Sequence, residues 1–156
     1  MEESVPSFFR FEDLRVYGKA VDYCRWLHVA MRESRTENEK NISNHFLDSA
    51  MSIAMNIAEG SSRSRNQFEA CLKNAKTSIR ECVVYTTVAN GLGMMNDDSA
   101  EQSRGYLMEL TRMIGALIIS LQRNGQRKSP YDTDSQPESD FDIKVPEERD
   151  GDDFVI

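Results

Sequence analysis

Between Pro6 and Pro130 the chain contains no proline. Proline removes a backbone donor and clashes with the preceding helical turn. A stretch this long without it leaves room for long unbroken helices, and Gly60, Gly91, Gly93 and Gly125 fall near the ends of apolar-periodic segments. Periodicity then gives the type of element. Apolar residues recur at the 3.6-residue spacing throughout, and no strand-type alternation of any length is present. The expected fold class is all-α.

Four helices are expected. The first runs from about Glu12 to Glu33. It carries two apolar stripes, Leu14, Tyr17, Val21, Cys24, Met31 and Val16, Ala20, Tyr23, Leu27, Ala30. One stripe serves a bundle core. The second asks for another packed surface, within the bundle or between subunits. A charged link from Ser34 to Lys40 follows, with Asn41 or Ser43 as the expected N-cap. The second helix runs from about Ile42 to Glu59, with apolar positions 42, 46, 50, 53 and 57. Gly60 is its expected stop.

Ser64-Arg65-Asn66-Gln67 fits a capping box for the third helix, which reaches about Asn90 on the stripe Phe68, Cys71, Leu72, Ala75, Ile79, Cys82, Val83 and Ala89. Gly91-Leu92-Gly93 ends it. Asp98 or Ser99 is the expected cap of the fourth helix, whose Leu107, Leu110, Ile114, Leu117 and Leu121 read as a strict heptad seam closed by Gly125. Short links imply an up-down-up-down antiparallel four-helix bundle. The expected organisation is an N-terminal arm over 1–10, the bundle over 11–125 and a disordered acidic tail over 126–156.

Charge is split unevenly. Residues 1–128 carry 17 basic and 16 acidic side chains, a net +1, whereas residues 129–156 carry 2 and 10, a net −8. The start is acidic and lacks the apolar region of a signal peptide. No apolar run approaches the ~20 residues that span a bilayer. Cys24, Cys71 and Cys82 suit a reducing compartment better than a disulfide framework. A cytoplasmic protein without a membrane segment is expected.

Catalytic chemistry finds little support. A di-metal carboxylate bundle needs Glu-x-x-His pairs, which are absent, and two histidines without a close Cys pair make a poor zinc site. Neither a nucleophile elbow nor a phosphate-cradling Gly loop is present. His28 falls in line with the first apolar stripe and is expected to be partly buried and hydrogen-bonded. No catalytic residue, metal or cofactor is expected.

Two constellations remain. Asn56, Glu59 and Gly60 end a segment in which Asp48 is the one charge between Lys40 and Glu59. They form either a structural motif or a buried polar site. In the structural reading Asn56 bonds across the bundle, and Glu59 pairs with Arg63 or accepts from amides at the start of the third helix. Removing Glu59 would then cost about 1–3 kcal/mol. The third helix also has a basic face. Lys73, Lys76 and Arg80 stand at i, i+3 and i+7, with Arg63 and Arg65 at its start. Such a row is either a solvated face or a footprint for RNA or DNA phosphates.

Phe11-Glu12-Asp13-Leu14-Arg15-Val16-Tyr17 with Lys19-Ala20, then Ser52-Ile53 and Asn56-Ile57-Ala58-Glu59-Gly60, then Phe68, Leu72, Ala75, Ser78 and Glu81, resemble the motifs of the four-helix-bundle family of 23S rRNA intervening-sequence proteins. The resemblance covers about residues 8–123. It departs at His45-Phe46-Leu47-Asp48, where the family usually shows a Gln, a Leu and basic residues, and at Thr77, where a Gly is common. The first departure weakens any nucleic-acid role for the second helix. The resemblance implies a ring, commonly a homopentamer, with no known enzyme activity. Relatives include the accessory variability determinant proteins of diversity-generating retroelements, which are basic, barrel-shaped partners of a reverse transcriptase.

These readings combine into an expected role. It is a non-enzymatic, ring-like oligomeric accessory protein that binds a protein partner and touches nucleic acid through the third helix. The alternatives are an adaptor acting through its acidic tail, and a reverse-transcriptase accessory protein.

Overall fold

The computed structural model describes residues 8–126. A single 3-10 turn, Arg10–Asp13, leads into α1 (Arg15–Ala30), α2 (Glu37–Ser61), α3 (Arg65–Gly91) and α4 (Asp97–Gln126). No strand occurs among the described residues. Each helix packs against its chain neighbours, and α1 against α4 closes the four-helix bundle. The acidic segment expected to be disordered lies outside the described residues.

Several boundaries differ from those expected. The first helix is broken at Leu14, whose extended backbone separates the 3-10 turn from α1. α2 starts five residues before Ile42. Thr36, rather than Asn41 or Ser43, caps it. The Thr36 hydroxyl accepts from the Glu39 amide, and the Glu39 carboxylate accepts from the Thr36 amide. A Thr-x-x-Glu box competes well against an isolated Asn or Ser. The Glu39 carboxylate also accepts from the Arg35 amide at 2.6 Å, and these backbone donors hold its pKa down.

Ser64 accepts from the Gln67 amide as expected. The start of α4 is capped by Asn96, whose Oδ1 accepts from the Ser99 amide, and not by Asp98 or Ser99. Between these helices Gly93 takes φ +74°, the left-handed value that favours glycine.

The core follows the second stripe of α1. Val16, Ala20, Tyr23 and Leu27 are buried with Phe46, Ala50, Ile53 and Ile57 of α2, Leu72, Ala75, Ile79 and Cys82 of α3, and Leu107, Leu110 and Ile114 of α4. The heptad seam of α4 drifts. Ile118 continues the buried row, and Leu117 and Leu121 are only partly buried, because a nearly straight helix keeps 3.6 rather than 3.5 residues per turn. In α3 the row continues through Thr86, and Val83 is exposed. His28, expected to be partly buried, is exposed.

At the centre, Tyr23, Ser103 and Thr86 join α1, α4 and α3. Tyr23 Oη lies 2.8 Å from Ser103 Oγ, which lies 2.8 Å from Thr86 Oγ1. Thr86 donates to the Cys82 carbonyl at 2.8 Å. Each hydroxyl has one proton and that carbonyl can only accept. The direction is therefore fixed, from Tyr23 to Ser103 to Thr86.

Candidate nucleic-acid interface and the central motif

The end of α2 is set by its contact with α3. Gly60 is inside the helix and is not its stop. A Cβ placed there would lie 2.6 Å from Cys71 Cβ and 2.7 Å from Phe68 Cδ2. Glycine is needed here because α3 approaches so closely, and not for an unusual φ. The helix is stopped by serines. Ser61 and Ser62 turn their hydroxyls back onto the carbonyls of Ala58 and Glu59.

Asn56 does not itself cross the bundle. Its Nδ2 donates within α2, to the Ser52 carbonyl at 2.9 Å and to Ser52 Oγ at 3.2 Å. Ser52 makes the crossing, with its Oγ 2.9 Å from Ser78 Oγ of α3. The helical offset explains this division. Residues four apart share a face, so Asn56 positions a short hydroxyl that fits the narrow seam between α2 and α3. One turn away, Ser49 donates to the Glu81 carboxylate at 3.0 Å.

Glu59 pairs with Arg63 at 2.7 Å, as the i, i+4 spacing implies, but both side chains are about half-exposed. Such a pair contributes only a few tenths of a kcal/mol. The expected cost of 1–3 kcal/mol for losing Glu59 is therefore too large. Among the described residues, no buried side-chain nitrogen or oxygen lacks a hydrogen-bond partner.

The basic residues fall on the exposed side of α3 that turns toward α4. Glu69 of that side accepts from Gln122 of α4 at 2.8 Å, which holds its carboxyl below the usual range. Lys73 follows one turn later and pairs with Glu69 at 3.3 Å. Lys76 and Arg80 come next, both exposed and in none of the ion pairs among the described residues. Thr87 lies seven residues beyond Arg80, on the same face, and accepts from Arg104 of α4 at 2.9 Å. Arg104 thus extends the row, and sequence reasoning missed it. Its only signal was a position on the neighbouring helix, which becomes meaningful once α3 and α4 are known to pack antiparallel.

Arg63 and Arg65 sit at the root of the row with other tasks. Arg63 is held by Glu59. Arg65 extends over the last turn of α4, where a Cβ on Gly125 would meet its Nη1 at 3.0 Å. A cation there complements the carbonyl end of α4. The free cationic surface is accordingly Lys76, Arg80 and Arg104, with Lys73 partly neutralised.

The opposite side of the bundle is apolar. Phe11, Tyr17, Val21 and Cys24 face Met51, Ala54, Met55 and Ala58 across an open groove of about 390 Å³, with Arg25 at its rim. These α1 residues belong to the first of the two sequence stripes. Met51 is 50% exposed and Met55 64%. Burial pushes the Cys24 thiol up to about 11, and Cys82 is raised still further by the same cause. Both are thus poor nucleophiles at neutral pH.

No group of His, Cys, Asp and Glu among the described residues could hold a metal ion, and none of the described helices is long and apolar enough to cross a membrane. Residues 12–116 match the family model described as 23S rRNA-intervening sequence protein. That span runs from the 3-10 turn into the second half of α4. No curated protein matches the chain.

Proposed function

The chain belongs to the 23S rRNA-intervening sequence protein family, and on that premise we propose that it is a non-enzymatic, ring-forming accessory protein, most simply a homopentamer. It assembles through the α1–α2 groove, binds a protein partner in the cytoplasm and touches nucleic acid through the α3–α4 edge. It uses no cofactor. One observation carries this reading: the apolar groove and the cationic row are on opposite sides of the bundle. Covering the first leaves the second open. An exposed groove rich in Met and small side chains favours burial against protein, and a row of cations outside ion pairs favours phosphate.

Light scattering coupled to gel filtration tests the assembly. The full chain should show a mass several times 17.8 kDa, with five copies favoured. Val21→Glu combined with Met55→Glu should lower that mass toward one copy while the helical circular dichroism is retained. A monomer at micromolar concentration for the unaltered chain would exclude ring assembly.

A further inference from the structure

We infer that the acidic segment 129–156 is the resting occupant of the cationic row on α3 and α4, an intramolecular stand-in for phosphate. Three observations support this. The first is charge: the segment carries a net −8, against a nearly neutral remainder. The second is the surface. Lys76 and Arg80 are exposed and outside the ion pairs, and Arg104 continues their line by reaching Thr87. The third is the placement of the segment's root, which only the fold reveals. Arg65, at the first turn of α3, lies against Gly125 at the last turn of α4. The chain therefore leaves α4 beside the start of the cationic row.

Reach is ample. From Arg65 to Arg80 along α3 is about 22 Å at 1.5 Å per residue, and a chain of this length spans up to roughly 100 Å when extended. Tethering holds the carboxylates at an effective concentration on the order of millimolar. Each exposed ion pair is individually weak, so the contact is collective and salt-labile. An incoming nucleic acid with a denser array of charges displaces it. The tail then sets a threshold that favours long or highly charged ligands over isolated phosphates. The tail's contact with the row stands independently of the nucleic-acid reading, but its regulatory meaning rests on that reading.

Carbodiimide coupling, which joins lysine to carboxylate only where they touch, tests this on the full chain. Equal parts of isotopically light and heavy protein distinguish links within one chain from links between chains. Lys73–Glu69 and Lys40–Glu37, both ion-paired in the structure, serve as internal references. The expected result is linkage of Lys73 and Lys76 to carboxylates of residues 132–153 within one chain, falling more steeply with salt than the references, whose partners the helix backbone keeps adjacent. Arg80→Gln with Arg104→Gln should weaken that linkage several-fold.

Tail links falling equally on Lys40, at the far end of the bundle, would overturn the inference. So would links found only between chains, or no link to Lys73 or Lys76. Adding a short oligouridylate separates the two proposals. Tail links that it displaces support both. Links that persist in saturating oligouridylate leave the tail contact standing and contradict nucleic-acid binding at the row.

Discussion

The seam between α2 and α3 and the centre of the bundle both join helices through hydroxyl groups, but they store energy differently. At the seam, Asn56, Ser52 and Ser78 form a half-buried relay whose members are partly within reach of water. What is demanding there is shape, since Gly60 lets Cys71 and Phe68 approach to distances that no side chain permits. At the centre, Tyr23, Ser103 and Thr86 are fully buried, and each relies on the next for its hydrogen bond. The same chemistry is inexpensive at the seam and costly at the centre, because an unmade hydrogen bond is penalised only where water cannot replace it.

Four tests can break this contrast, beginning with the largest effect. Gly60→Val should destabilise by about 3 kcal/mol or prevent folding, because the clash is with a Cβ fixed to the backbone of α3. Chemical denaturation should show it, with Gly60→Ala milder. A Gly60→Val protein as stable as the parent would mean that the helices are not this close. Next, Ser103→Ala should cost about 1–3 kcal/mol by stranding the Tyr23 hydroxyl. Asn56→Ala, which only loosens the relay, should cost about 0.5–1 kcal/mol. Equal losses in these two variants would erase the difference between the regions.

Alkaline pH provides a third test. Burial raises the Tyr23, Cys24 and Cys82 groups above their ordinary values. In the unfolded chain they ionise first, so the unfolded state binds fewer protons and stability falls as pH rises. Thermal unfolding should shift downward from about pH 9 to about 11, the window of the Cys24 thiol. Cys24→Ala should flatten part of that limb, and a flat profile for the parent chain would show that these groups are not buried. The smallest effect belongs to Glu59→Ala. The loss of its exposed pair with Arg63 should change stability by no more than about 0.5 kcal/mol.

Helix count, order and core stripes were legible in the sequence because apolar periodicity and the missing prolines reflect local constraints. Tyr23, Leu27, Phe46, Ile57 and Ile79 all declare their faces by spacing. What escaped was anything set by two helices at once. Ser103 and Thr86 look like ordinary surface residues until the helices that bury them are packed together. Gly60 resembled a helix stop because its real constraint, the approach of Phe68 and Cys71, comes from the next helix. The candidate site was half visible for the same reason. Lys73, Lys76 and Arg80 line up within one helix, whereas Arg104 joins them only through α4. Arg63 and Arg65 read as part of the patch because charge alone does not reveal their engagement by Glu59 and the end of α4.

The most direct test of the cationic edge is the salt dependence of RNA binding by the full chain and by Lys76→Gln with Arg80→Gln. Fluorescence anisotropy with a labelled oligouridylate, at salt from about 50 to 200 mM, gives the slope of log affinity against log salt. Each single-strand phosphate contact contributes about −0.7 to that slope, so losing both cations should flatten it by up to about 1.4, less where the acidic segment already occupies them, and weaken binding most at low salt. A variant with the same slope and affinity as the parent chain would contradict the assignment of this edge to nucleic acid.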